Sequence, residues 1–113
     1  MIPKKNRLLT KNDFVRPFKA GRIYHSTGIS IKTAKNDSLV VRLGFVISNK
    51  VTKKATKRNK VRRRLRSIFG KRLDKLKTGF DIVILGRKEV LDMTFKQLEK
   101  SVDYLLEKAG LFR

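Results

Sequence analysis

From Ala55 to Leu76 the chain is at once an apolar helical stripe and a run of like charges. Val61, Leu65, Ile68, Phe69, Leu73 and Leu76 fall on one face at about 100° per residue, which predicts an amphipathic helix. Within it, seven of the ten residues from Lys57 to Arg66 are Lys or Arg. The stripe must be buried, and its flanks supply a surface. LVVRLGFVI (39–47) reads as a strand with Leu39, Val41, Leu43, Phe45 and Ile47 on one apolar face and Arg42 on the other. FDIVIL (80–85) reads as a buried strand. The helix stripe therefore lies on a sheet, and for such a crossover the general rule predicts a right-handed connection.

The remaining elements follow from local signals. Thr10 with Asp13 three residues later predicts a helix start, and Phe14, Val15 and Phe18 continue it toward Gly21. Pro17 should kink or shorten that helix. Ile29 and Ile31 alternate with Ser30 and Lys32, so 23–34 reads as one strand with a wet face, and Asn36-Asp37-Ser38 as a turn. Thr94 and Gln97 form a capping box for a last helix, with Leu98, Val102, Leu105 and Leu106 inward and Gly110 as its stop. The order is α-β-β-α-β-α. It predicts a single α+β domain over 1–113, an α/β sandwich without repeat or linker.

Charge then limits the partners. Against 30 Lys and Arg stand 9 Asp and Glu, a formal +21, which opposes a lone compact chain and favours a polyanion. Between Lys50 and Lys77 Asp74 is the single acid, while five of the nine acids lie from Glu89 to Glu107. The basic charge is focused on one region. The sequence has no cysteine and one histidine, His25, which excludes thiolate zinc sites and Cys catalysis. MIPKKNRLL lacks an apolar signal core, and no apolar run approaches the roughly 20 residues of a membrane helix. A cytoplasmic protein is expected, with no membrane partner.

On the predicted helix, Asn59, Lys60, Arg63 and Lys71 point to solvent. Arg58, Arg62 and Arg66, spaced i, i+4, i+8, border the apolar stripe and face a groove. A solvated helix face is the bland explanation of such a run. Here, however, the run has no i,i+4 carboxylate partner, and unpaired arginines suit phosphate, whose oxygens the guanidinium grips two at a time. Nucleic acid is the expected partner.

Ala55-Thr56-Lys57-Arg58-Asn59-Lys60-Val61-Arg62-Arg63-Arg64-Leu65-Arg66 resembles the signature of the bacterial ribonuclease P protein component. The resemblance extends along the chain through Arg7-Leu8 with Phe14, Phe18 and Gly21, through Gly44-Phe45-Val46-Ile47-Ser48 and Lys50, and through Phe80-Asp81-Ile82-Val83-Ile84 with Gly86-Arg87-Lys88. It implies a mixed sheet of about four strands with three helices, and a left-handed βαβ crossover where the general rule gives the opposite hand. It further implies a monomeric subunit of an endoribonuclease, a hydrolase that removes the 5′ leader of precursor tRNA. The catalytic RNA would cut with Mg²⁺ that the RNA holds, and no DNA would be bound. By the same resemblance Arg58, Asn59, Lys60 and Arg63 face the catalytic RNA. The leader cleft would comprise Phe14, Phe18, Ser30, Lys32, Arg42, Arg62 and Arg66. Lys60 stands where the family usually has arginine, keeping charge and losing the bidentate grip; Lys32 stands where an aromatic is common.

The residues read by themselves leave alternatives. Phe14 and Phe18, one turn apart, are either core or a platform for base stacking. Arg87 and Lys88 are either a phosphate contact or a solvated turn. His25 reads as a surface histidine, and no nucleophile–base set or carboxylate pair emerges. The rival from another class is a structural RNA-binding protein of ribosomal type, which would need no Phe14/Phe18 platform beside an Arg62/Arg66 row. A nucleoid protein lacks support, since no helix-turn-helix or basic arm with minor-groove wedges is present.

Overall fold

The computed structural model describes residues 2–113. The chain forms α1 (Lys11–Ala20), β1 (Arg22–His25), β2 (Ile29–Lys35), β3 (Arg42–Val46), α2 (Ala55–Arg72), β4 (Phe80–Gly86) and α3 (Phe95–Lys108). The strands make one mixed sheet in the order β1-β2-β4-β3. β2 is antiparallel to β1 and β4, and β3 is parallel to β4, the two being joined through α2. Three helices on a four-stranded mixed sheet give the expected α+β architecture.

Register explains the two faces. Ile31 is paired with Ile84, and Leu43 with Ile82; all are buried with Val61, Leu65, Ile68 and Phe69 of α2 and Leu98, Val102 and Leu105 of α3. This is the main core. The opposite face carries the row Ile23–Lys32–Val83–Gly44 and is covered by the shorter α1. Because helices cover both faces of β4, FDIVIL is apolar almost throughout. Arg7 bridges to Leu43, so the N-terminal segment covers the outer edge of β3.

Both capping boxes, Thr10 with Asp13 and Thr94 with Gln97, are present. Gly110 has a φ of 68° and ends α3 in the left-handed region that glycine favours.

Four expectations change. The single strand over 23–34 is a hairpin: Gly28, at φ 76°, turns the chain, and Ser26 N–H donates to Ile29 O at 3.0 Å. Pro17 lies inside α1 without shortening it, since it removes only the bond to the Asp13 carbonyl and is itself buried, while Gly21 N–H still reaches Pro17 O at 3.1 Å. The long helix stops at Arg72, and a single 3₁₀ turn carries Leu73–Lys75 to buried Leu76. Leu39 is 90% exposed at the tip of the turn before β3, outside the apolar face assigned to it.

Candidate nucleic-acid interface

α1 presents the aromatic pair. Their spacing puts Phe14 and Phe18 on one side of the helix, with ring centroids 6.4 Å apart and planes tilted by 33°. Phe14 lies over Gly44, where an added Cβ would come within 2.4 Å of the ring; the absent side chain is what lets α1 sit down here. Phe18 is 43% exposed, and Lys32 Nζ stands 4.8 Å from its ring centroid. The pair is thus neither wholly core nor wholly surface. Phe14 seats the helix and Phe18 offers its ring.

From Phe14 the surface continues toward α2. A groove of about 530 Å³ is lined by Phe14, Gly44 and Phe45 on one side and by Arg63, Arg66 and Ser67 on the other, with Arg7 at its rim. The Arg66 guanidinium lies 5.8 Å from the centroid of the Phe45 ring. A shallower groove of about 390 Å³ joins Thr56, Asn59, Arg62, Arg63 and Arg66, and there Arg62 donates to Asn59 Oδ1. Arg62, Arg63, Arg66 and Asn59, assigned by resemblance to two different RNAs, therefore share one surface. Lys60 is exposed, and Arg58 turns away, donating to Thr52 O at 2.9 Å to close the loop before α2.

Arg42 departs from its expected role. It lies on the polar sheet face, but its Nε and Nη2 each donate at 2.8 Å to the Asp81 carboxylate, and Nη1 lies 3.5 Å from Asp13. Asp81 is 1% exposed and also accepts from Asn36 at 2.8 Å. A guanidinium committed in this way is a strut holding α1 to the sheet rather than an open phosphate ligand. The Asp81 bonds, and then the nearby carboxylate charges, raise its pKa further above the usual value. Ser30 is buried in the sheet beside the cleft, its Oγ 2.7 Å from His25 Nδ1. Arg87 donates to Ser26 O at the hairpin turn, and Lys88 is exposed.

Sequence reading missed Asp13 and Asp81 as orienting groups, and the contribution of Arg7. The acid inside FDIVIL was the available signal, because a carboxylate in a buried strand needs a cationic partner. Among the described residues, no group of three or more His, Asp or Glu is placed to hold a metal ion. Among the described residues, no helix is long and apolar enough to cross a membrane.

The chain is similar to known proteins over nearly its whole length. The chain is 34% identical over 110 residues to the ribonuclease P protein component of Pseudanabaena sp. (strain PCC 6903), covering 96% of this chain and 95% of that one. It is 35% identical over 101 residues to the ribonuclease P protein component of Clostridioides difficile (strain 630), covering 88% of each. In structure it resembles the Staphylococcus aureus RNase P protein, with a TM-score of 0.87 at 28% identity over 96% of this chain and 98% of the other. The Thermotoga maritima RNase P protein gives a TM-score of 0.82 at 32% identity over 90% and 98%. Since the ribonuclease P family model also matches residues 2–110, the chain belongs to the ribonuclease P protein family.

Proposed function

We propose that this chain, as the cytoplasmic protein component of ribonuclease P, holds the single-stranded 5′ leader of precursor tRNA while its basic helix meets the catalytic RNA. The observation that carries this reading is the continuity of aromatic and cationic groups from Lys32 and Phe18, through Phe14, to Arg63 and Arg66. Stacking on Phe18 tolerates any base, and arginine contacts along the wall read phosphates rather than sequence, which suits leaders of differing sequence. Arg42 acts through Asp13 and Asp81 by fixing α1, and with it the platform. Asn59 and Lys60, near the start of α2, meet the catalytic RNA, while Arg58 closes the loop that leads into the helix.

The chemistry belongs to the RNA. Mg²⁺ held there supplies the activated nucleophile and neutralises charge on the scissile phosphate. This chain binds and orients. Reconstitution with a bacterial P-type RNA at low Mg²⁺ tests the reading: the protein should promote cleavage of precursor tRNA, and Phe18→Ala should lose much of that effect. Absence of any promotion, or a Phe18→Ala variant equal to wild type, would count against the leader cleft.

A further inference from the structure

A second concave surface lies at the other edge of the sheet. The Phe14 groove flanks β3, whereas β1 forms the opposite edge, and α3 packs over the β1–β2 side. Between α3 and the hairpin turn is a groove of about 880 Å³ lined by His25, Arg87, Gln97, Lys100, Ser101 and Tyr104 among others, none of them acidic. Glu99 and Asp103 turn to Arg72 of α2, at 3.2 and 2.5 Å, and neither lines the groove.

Three details give this groove the chemistry of a nucleotide site. The Nε of Arg87 is buried without a hydrogen-bond partner; Glu89 forms an ion pair with it at 3.6 Å, beyond hydrogen-bond reach, from a side chain that is 61% exposed. Tyr104 is 52% exposed, and Lys108 Nζ stands 5.5 Å from its ring centroid, so an aromatic face and further positive charge occur together. His25 pairs in register with Ser30, which places it on the sheet face that carries Lys32. His25 therefore belongs to the sheet face that floors the α1 cleft and also lines this groove.

We infer that the α3 groove is a second subsite for single-stranded RNA, taking a base against Tyr104 and a phosphate among Lys100, Arg87 and Lys108. The volume exceeds what a lone phosphate needs and lies within the usual range for small-ligand pockets of about 300–1,000 Å³. An acidic peptide would satisfy the cations but leave the aromatic face without a partner. The inference rests on the reading of this chain as a single-strand RNA binder, and the test separates the two.

The full chain is titrated into a labelled single-stranded RNA of about 12 nucleotides, followed by fluorescence anisotropy at several salt concentrations. Tyr104→Ala should weaken binding about tenfold and Tyr104→Phe should restore it, as a stacking role requires. Lys100→Ala should lower the salt slope by about 0.7. Both side chains are exposed, and circular dichroism checks that the variants fold. If Tyr104→Ala and Lys100→Ala bind like wild type while Phe18→Ala binds weakly, the groove is not an RNA site and the leader cleft stands. If only the groove variants weaken, the groove stands and the leader cleft fails. If all three match wild type, both are overturned.

Discussion

Arg42 and Arg66 are both arginines beside the cleft, yet the structure gives them opposite tasks. Arg42 spends two donors on Asp81, a carboxylate 1% exposed, so its removal leaves a buried charge without its cation. Arg42→Ala should lower unfolding free energy by about 3 kcal/mol, at the low end for a broken buried pair because Arg42 itself is partly exposed. Urea titration checks this. Arg66 instead lies over the Phe45 ring, with no carboxylate partner among the described residues. Among the described residues, Arg62 bonds Asn59. Arg66→Ala and Arg62→Ala should therefore leave stability within about 0.5 kcal/mol of wild type. They should weaken precursor tRNA binding more than mature tRNA binding, each lowering the salt slope by about one unit. Equal losses for the two tRNAs would remove both side chains from the leader cleft. Sequence could nominate all three arginines but could not sort them. Which arginine meets Asp81 is decided by the parallel register of β3 on β4, a pairing between residues 39 apart.

At the scale of the element, α1 is the piece most open to perturbation, being one ten-residue helix held by a cap, a strut and two rings. The Asp13 carboxylate accepts from the Leu9 and Thr10 N–H groups at 2.8 and 3.0 Å; these bonds, with a smaller part from Arg42, hold its pKa below the usual carboxylate value. A depressed folded pKa contributes stability above the unfolded value near 3.8, and that contribution is lost as pH falls through the folded value. α1 should loosen first on acidification, with amide exchange of 11–20 accelerating below about pH 4 while α3 stays protected. Uniform acceleration across both helices would show that Asp13 has no special part. Gly44→Ala tests the seat of the same helix. Its Cβ would fall 2.4 and 2.6 Å from the Phe14 ring, whose rim can swing aside. A modest loss of stability is expected with a larger loss of leader affinity. Capping boxes such as Thr10/Asp13 are legible in sequence because donor and acceptor lie three residues apart. The hairpin at 26–28 was legible only through Gly28, and alternation at Ile29 and Ile31 hid it by extending smoothly across the turn. Pro17 misled because the general penalty ignores that a buried ring on the sheet can offset one lost hydrogen bond.

For the whole molecule the governing quantity is charge and where it is compensated. Among the described residues, Arg72 is the α2 side chain with carboxylate partners, Glu99 and Asp103, and Asp74 is the lone acid between Lys50 and Lys77. The protein alone should not cleave precursor tRNA at any Mg²⁺ concentration, since its one histidine is bonded to Ser30, the Asp13 and Asp81 carboxylates are held by Arg42, and among the described residues no group of three or more His, Asp or Glu is placed to hold a metal ion. Activity that survives removal of all RNA and vanishes on a point mutation in this chain would overturn that. Uncompensated charge also bears on folding. At about 0.01 M salt the Debye length is about 30 Å, comparable with the longest molecular extent of 35 Å, so the basic side chains of α2 repel one another across the whole body. Domain stability is only about 5–15 kcal/mol, and such repulsion can remove a large share of it. The free chain should therefore be incompletely folded at low salt and gain helix when a polyvalent anion binds the folded state. Mass action supplies about 2.7 kcal/mol at a hundredfold excess over Kd. Far-UV circular dichroism with sulfate against chloride separates binding from screening: sulfate should restore helicity at the lower ionic strength. Equal action at matched ionic strength would mean screening alone suffices. Full helicity without added salt would mean the Arg72 clamp and the α2–α3 core already outweigh the repulsion, leaving RNA to bind a finished fold.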